Sequence, residues 1–424
     1  MRVLWITNQF FKEYYDLTGA PSPATGGWMR ALALELRRRE PELEIAVASR
    51  DSRVKSVGRC ESGGFTFFSL PGSVYTDGYD ASVEACWAEV ERQFRPDVVH
   101  IHGSEYPHAL AWVRACGGSR TAVSIQGLVS VDARYFTAGI ADRELRRCLT
   151  FYDRFIASSP MKERKKYELR GRWERELIGS VGHVIGRTAW DRAHTWAINP
   201  EAVYHYGGET LRREFYTAPK WSAEACRRHR IFLSQAAKPI KGIHRLLEAM
   251  PLIRREFPDT EIYVAGGDFL RHDDMHSRLR FTTYGRYVEK LIKKHGLSGS
   301  VRFLGPLGAA EMAEQYRQAN VFVCPSSIEN SPNSLGEAQL IGCPVVASNV
   351  GGVADMVADG LTGLLYRFEE TEMLAEAVCR MFGNDALAAS LSAGGIRAAS
   401  ERHDGDRNAR EMLEIYKSIA ESER

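Results

Sequence analysis

Short apolar runs rich in Val and Ile alternate along this chain with longer amphipathic stretches. In the first half the runs are VLWIT (3–7), EIAVAS (44–49), FTFFSL (65–70), VVHIH (98–102), AVSIQ (122–126) and HVIG (183–186). In the second half they are IFLSQ (231–235), EIYVAG (261–266), VRFLG (301–305), VFVCP (321–325), PVVAS (344–348) and GLLY (363–366). Runs this short, bounded by polar turns, read as buried strands. Between them, WMRALALELRRR (28–39) carries Met29, Leu32, Ala33 and Leu36 on one stripe at helical spacing. IHRLLEAMPLIRREF (243–257), AEMAEQYRQAN (310–320) and EMLAEAVCRMF (372–382) repeat that pattern. Strands alternating with amphipathic helices predict βαβ units and parallel sheets covered on both faces.

The series runs twice. RVLWIT opens one half and RIFLSQ the other, and the charged stretch TLRREFYTAPKWSAEACRRHR (210–230) between them reads as a linker. We expect an α/β chain of two doubly wound, Rossmann-like domains, 1–205 and 206–400, facing across a cleft. RNAREMLEIYKSIAESER (407–424) reads as a last helix, within a closing segment 401–424. A length of 424 residues agrees with two domains. Ligands of such sheets bind outside the C-terminal ends of the strands.

Composition narrows the function classes. Hydrophobic residues make up 44% and charged residues 26%, an ordinary globular balance. The formal net charge of +2 argues against a dedicated nucleic-acid binder. Eight scattered cysteines without a CxxC pair fit a reduced, cytoplasmic setting and small core side chains. The opening MRVLWITNQFF has too short an apolar run for a signal peptide and reads as a strand. No apolar run approaches the roughly 20 residues of a membrane span.

One region departs from neutrality. Residues 143–175 hold eleven Lys/Arg against five acids, interleaved with Phe151, Tyr152, Phe155, Tyr167 and Trp173. Its plain reading is a solvated helix pair. Its sharper reading is a surface that rests on anionic lipid or an acidic acceptor, a peripheral contact with the inner face of the cell membrane.

Chemistry concentrates in SSIENSPNSLGEAQLIGCPVVASNVGG (326–352). A strand ends at VFVCP, a loop holds Glu329, and Ser331-Pro332 reads as an N-cap followed by proline at the first helical position. The helix then runs to Gly342, a natural stop. The amides of Asn333 and Ser334 open a helix N-terminus that attracts phosphate. Glu337 sits roughly 7 Å along that helix. A carboxylate accepts two hydroxyl protons at once, which suits vicinal diols of a ribose or a sugar. A nucleotide sugar would place its diphosphate at the helix end, with one glutamate on the ribose and the other on the sugar.

Taken with its flanks, this segment resembles the E-x7-E donor site of retaining glycosyltransferases of GT-B fold, family 4 (the bacterial group 1 glycosyltransferases). The likeness extends to Gly26-Gly27 after the first strand, DVVHIHG (97–103), IKGIHRLLEAM (240–250), EIYVAGGD (261–268), VRFLG and ADGLTGLLY (358–366). GRTAWDRAHTWAINPEAVYHYGGETLRREFY (186–216) is similar to a block of a bacterial subset. The resemblance implies that the last helix crosses back onto the first domain. It implies that Glu337 binds the ribose, Glu329 the donor sugar and Lys241 the diphosphate. Pro332, Asn333, Ser334 and Leu335 would line the phosphate site, with Gly27 contributing from the first domain. A cation at Lys241 stabilises the charge that grows on the leaving diphosphate.

Two positions depart from the family pattern. Gln235 and Ala236 stand where many members carry an arginine, leaving Lys238 or Arg187 to supply the second positive charge. Lysine lacks the forked grip of arginine. Gln126 stands where the family often has histidine; it can hydrogen-bond a sugar hydroxyl without carrying its proton. A retaining reaction tolerates that, because the leaving phosphate oxygen takes the proton of the incoming hydroxyl. His102 and Gln126 are the helper candidates. Along their strand His100 and His102 are read as facing opposite ways, His100 into the core and His102 into the site. Gly351-Gly352 is read as letting backbone approach a phosphate or sugar. HDDM (272–275) could suggest a metal-binding Asp pair, but it sits in a polar loop without a preceding strand, and no metal or cofactor is expected.

The expected function is therefore transfer of a sugar from a UDP- or GDP-linked donor to an acceptor hydroxyl, on a glycan or lipid-linked acceptor of the bacterial envelope or capsule. A nucleotide-sugar epimerase or phosphorylase uses similar sheets, yet the proton-abstracting groups and cofactor lysine those reactions need have no counterpart here. A non-catalytic nucleotide-sugar or glycan-binding protein is the reading from another class.

Overall fold

The computed structural model describes residues 1–21, 27–156, 158–271 and 280–422. Gly26 and the HDDM stretch lie outside the described residues. The chain divides into two units. The first comprises Met1–Asp132, Lys166–Thr210 and His403–Arg424; the second comprises Ala133–Lys165 and Leu211–Arg402.

The first unit is built on strands β1 (Arg2–Ile6), β2 (Glu44–Asp51), β3 (Gly58–Ser62), β4 (Phe65–Pro71), β5 (Val98–His102), β6 (Thr121–Ser124), β7 (His183–Gly186) and β8 (Val203–Tyr206). Their order is β3-β4-β2-β1-β5-β6-β7-β8, parallel except for the antiparallel β3–β4 pair. The alternation of side chains along a strand divides its core in two. Leu4 and Ile6 of β1 pack with Trp87, Val90, Leu110 and Trp112 on one face. Val3 and Trp5 pack on the other with Met29, Ala33 and Leu36, the stripe read from the sequence. That second face also receives Ala409, Met412, Tyr416 and Ile419 of the helix Gly405–Glu421. The last helix thus belongs to the first unit.

The second unit is built on β9 (Arg230–Leu233), β10 (Glu261–Val264), β11 (Val301–Phe303), β12 (Val321–Cys324), β13 (Val345–Ser348) and β14 (Leu364–Tyr366). All six strands are parallel, in the order β11-β10-β9-β12-β13-β14. The order reverses between β9 and β12, so the loops leaving those two strands frame the place where such a sheet binds ligands.

Two expectations about organisation need correction. Residues 133–165 do not stay with the first 205 residues; they pack into the second unit. Ile140 and Leu145 enter its core. His244 bonds the carbonyl of Ala138 at 3.0 Å, and Ser327 Oγ donates to the carbonyl of Tyr135 at 2.9 Å. The supposed linker 210–230 is also core. Phe215 is fully buried, and Trp221 Nε1 donates to the carbonyl of Ala319 at 2.7 Å. Most of its charged residues are exposed while Phe215 and Trp221 anchor it, which composition alone conceals.

Candidate active site

Two loops of the second unit meet at the switch point. After β9 the chain turns through Lys238 into the short helix Pro239–Lys241 and ends at Gly242 in the left-handed conformation, φ 71°. A Cβ on Gly242 would lie 1.7 Å from the carbonyl oxygen of Pro325, so only glycine lets this turn close on the loop after β12. The amide of Ser327 then donates to the carbonyl of Ile240 at 2.9 Å and ties the two loops.

The tie brings Lys241 and Glu329 together. Lys241 Nζ donates to Glu329 Oε1 at 2.5 Å, and Ser326 Oγ donates to the same oxygen at 2.7 Å. Both charged side chains are largely buried, 21% and 13% exposed, so the pair stands in a medium where its field is poorly screened. Lys238 is exposed at the start of the turn.

Gly351 fixes the other side of the Glu329 loop. At φ 53° its missing Cβ would fall 1.9 Å from the carbonyl oxygen of Glu329, and the amide of Gly352 donates to that oxygen at 3.0 Å. The close approach read for these glycines is therefore to the protein's own loop after β12.

The helix Asn333–Ile341 follows. Its N-cap is Pro332, not Ser331; the Ser331 hydroxyl points to Met356 Sδ at 3.6 Å. Leu335 is fully buried and its amide donates to the carbonyl of Pro332 at 3.0 Å, so Leu335 serves the first turn and Asn333 and Ser334 open it. Gly342 ends the helix at φ 88°, as expected, and Lys220 Nζ donates to the carbonyl of Leu340 at 2.8 Å near that negative end.

Glu337, 6% exposed, accepts from Arg212 Nη2 at 3.1 Å through Oε1 and from Tyr316 Oη at 3.2 Å through Oε2. Burial, reinforced by the glutamate's charge, holds the Tyr316 phenol well above its ordinary range, so it remains a neutral donor. A carboxylate oxygen can accept from more than one donor at a time. Arg212 and Tyr316 are site residues that sequence reasoning missed. Arg212 lies in the supposed linker, 125 positions from Glu337, and no spacing rule reaches across that separation.

In the first unit, His100, His102, Ser124, Gln126, Arg187 and Glu209 line one pocket. The two histidines do not face opposite ways. Residues two apart on a strand share a face, and their rings lie 3.8 Å apart. His100 is fixed by Tyr416 Oη at 2.7 Å and Ser124 Oγ at 2.5 Å, and burial drives its pKa down to about 3. His102 sits between Trp5 and Trp28, 4.3 and 5.8 Å from their rings, with neither nitrogen hydrogen-bonded among the described residues. Burial keeps it far below its ordinary pKa, hence neutral and able to accept or donate one hydrogen bond. Arg187 is committed within its own unit: it pairs with Glu209 and donates to the carbonyl of Ile125 at 3.3 Å. Gly27 begins the helix Gly27–Arg39.

Comparison with known proteins matches residues 227–384 to the family described as glycosyl transferases group 1. That range spans β9 to the end of the helix Thr371–Gly383. The D-inositol 3-phosphate glycosyltransferase of Corynebacterium urealyticum is 30% identical over 182 residues, 42% of this chain and 41% of that protein. The phosphatidyl-myo-inositol mannosyltransferase of Mycobacterium leprae is 29% identical over 193 residues, 45% of this chain and 47% of that protein. The chain thus spans less than half the length of these curated relatives. Among solved structures, sucrose-phosphate synthase from Thermosynechococcus elongatus superposes with a TM-score of 0.69 at 18% identity, covering 99% of both chains. Anabaena Alr3699/HepE in complex with UDP superposes with a TM-score of 0.63 at 15% identity, covering 99% of this chain and 100% of that one. Together these show a GT-B glycosyltransferase fold.

Proposed function

We propose that the chain, whose residues 227–384 match the glycosyl transferases group 1, transfers a sugar from a UDP- or GDP-linked donor to an acceptor hydroxyl with retention of configuration. The observation that carries this reading is the Lys241–Glu329 pair beside the helix end at Asn333. A nucleotide sugar joins an anionic diphosphate directly to a ring bearing hydroxyl donors. A cation and a carboxylate held 2.5 Å apart match that junction.

In this reading Glu337 accepts the ribose hydroxyls, and Asn333, Ser334 and Lys241 receive the diphosphate. Glu329 accepts hydroxyls of the sugar through the oxygen that Lys241 does not hold. As the bond from C1 of the sugar to the phosphate oxygen breaks, negative charge grows on that oxygen, and the lysine and the helix end stabilise it. The acceptor oxygen bonds to C1 from the same face, and its proton passes to the departing phosphate oxygen. No protein base is required. Arg212, already on Glu337, is the forked cation we propose in place of the family's arginine. No cofactor beyond the nucleotide sugar is invoked.

For the acceptor we propose a hydroxyl of a lipid-linked glycan in the bacterial envelope, used by a cytoplasmic enzyme peripheral to the membrane. The name of the Mycobacterium leprae relative, a phosphatidyl-myo-inositol mannosyltransferase, supports that class. Titration calorimetry with a panel of nucleotide sugars tests the donor reading. One donor is expected to bind, and Glu337→Ala to weaken it at least tenfold. Binding of that donor undiminished in Glu337→Ala would refute the ribose assignment.

A further inference from the structure

The second unit carries an aromatic tip that the proposed chemistry does not use. Phe151 and Phe155, one turn apart on the helix Phe151–Phe155, are 76% and 82% exposed, and Ile156 beside them is 45% exposed. The two rings stack on each other with centroids 6.0 Å apart and an interplanar angle of 24°. Contiguous exposed aromatic surface of this kind marks an interaction site.

The tip is held from below. Thr150 Oγ1 caps the helix by accepting from the amide of Asp153 at 3.2 Å. Asp153 is fully buried and accepts from the amide of Thr283 at 2.5 Å and from Ser158 Oγ at 2.7 Å. Arg286 Nη1 donates to the carbonyl of Leu149 at 3.1 Å. These bonds fix the base of the segment to the start of the helix Thr283–Lys294, while its phenylalanines project into solvent.

Charge selects the occupant. Within 141–165, among the described residues, the most exposed charged residues are cations: Arg143, Arg146, Arg147, Arg154, Lys162 and Lys165. Of the acids of the same stretch, Asp153 is fully buried and Glu163 half-buried, while Glu144 and Asp142 keep partly exposed side chains paired with Arg147 at 2.9 Å and with Arg164 at 3.5 Å, so the surface stays net cationic. A second copy of this chain would oppose cation to cation, so self-association through this face is disfavoured. An anionic bilayer satisfies both features, apolar rings at the acyl boundary and arginines among headgroup phosphates.

We propose that residues 143–156 form a peripheral contact with anionic lipid, with Phe151, Phe155 and Ile156 entering the headgroup region. The basic stretch read from the sequence as 143–175 is thereby divided. Trp173 packs on the core of the first unit, and Tyr167 lies under the buried Arg170, 4.5 Å from its guanidinium carbon, so both are half-buried where the phenylalanines of the tip are exposed. The inference sharpens the lipid-linked acceptor of the proposed function but rests on geometry apart from the donor site.

Flotation of the full chain with vesicles tests it. Binding is expected to equimolar phosphatidylglycerol–phosphatidylcholine vesicles and to fall at least tenfold on pure phosphatidylcholine. Phe151→Ser/Phe155→Ser is expected to lower binding at least tenfold, and Arg146→Ser/Arg147→Ser/Arg154→Ser to lower it comparably. In both variants nucleotide-sugar binding by calorimetry should stay unchanged, which separates this surface from the donor site. Wild-type protein that stays with the lipid-free fraction overturns the proposal. So does a phenylalanine variant that floats like wild type, equal binding to neutral vesicles, or sedimentation showing that the tip mediates self-association instead.

Discussion

Lys241 Nζ and Glu329 Oε1 stand 2.5 Å apart although 88 positions separate them, and their bond joins the loops that leave β9 and β12. The ammonium is thus oriented before any nucleotide sugar arrives, and an ammonium carries three N–H groups to offer a diphosphate. Preorganised charge of this sort contributes mainly in the transition state. We expect Lys241→Ala to lower kcat by about 100- to 1000-fold, the range found when one transition-state donor is removed. Glu329→Gln should leave Lys241 in place through the amide oxygen and act more weakly, chiefly on the KM for donor. Steady-state kinetics at saturating acceptor checks both; a kcat of Lys241→Ala within a few-fold of wild type contradicts the role.

Glu337 is shared between Arg212 and Tyr316, one per oxygen. Tyr316 is fully buried, so Glu337→Ala strands its hydroxyl at a cost of about 1–3 kcal/mol in stability. Tyr316→Phe removes one donor and should cost about 1 kcal/mol while weakening nucleotide binding. Arg212 is half-exposed, so Arg212→Ala should hardly change stability. Its predicted signature lies in binding, with nucleoside diphosphate affinity reduced about tenfold, equivalent to about 1.4 kcal/mol. Calorimetry beside thermal unfolding separates the two effects; tighter nucleotide binding by Arg212→Ala would show that the arginine competes with the ligand.

Much of this was legible in the sequence, and the gaps have physical causes. All six strands of the second sheet coincide with apolar runs, most clearly β12 and β13, because a parallel strand covered on both faces must be apolar throughout. The first sheet hides β3 (GRCES) and β8 (VYHY), edge strands whose partial exposure dilutes the signal. The two glutamates and Lys241 are readable as a set because loops after parallel strands converge on the switch point. That Lys241 and Glu329 bond each other, or that Arg212 reaches Glu337, depends on tertiary approach that no local period encodes. The orientation of His100 and His102 was available from strand geometry alone, and the opposite-face reading misapplied it.

Gly242 and Gly351 offer a test of how tightly the site is built. Each combines a left-handed φ with a backbone carbonyl where a Cβ would go, that of Pro325 and that of Glu329. Alanine at either must move backbone, and we expect destabilisation of about 2–4 kcal/mol with loss of most activity. Gly360 is the control. It has φ 72° but nothing within 4 Å of where a Cβ would sit, so Gly360→Ala should cost only the conformational strain, about 1 kcal/mol. Chemical denaturation of the three variants checks the ranking; equal losses at all three would mean that φ alone matters.

The first unit should be sensitive to acid through its buried imidazoles. His100 and His108 are held neutral, their pKa values lowered by burial from 6.5 to about 3, and His102 is lowered too. Between about pH 6.5 and 3 the unfolded chain therefore binds protons that the native state refuses, and stability is lost as pH falls through that window. Glu174 acts in the opposite sense. Burial raises its pKa from 4.5 to about 7 even though it accepts from Ser104 Oγ and from the amides of Val129 and Ser130. Between pH 4.5 and 7 the native state holds a proton there that the unfolded chain releases, so this carboxyl favours folding at lower pH and loses that advantage as pH rises. The histidines outnumber it, and the net expectation is a fall in stability below about pH 6.5. Each removed histidine should flatten the dependence by about 1.4 kcal/mol per pH unit, and removal of Glu174 should steepen it by a similar amount. Urea midpoints of wild type, His100→Asn and Glu174→Gln at about pH 5, 5.5 and 6 decide it; parallel curves for all three would mean that these groups titrate alike in the folded and unfolded chains.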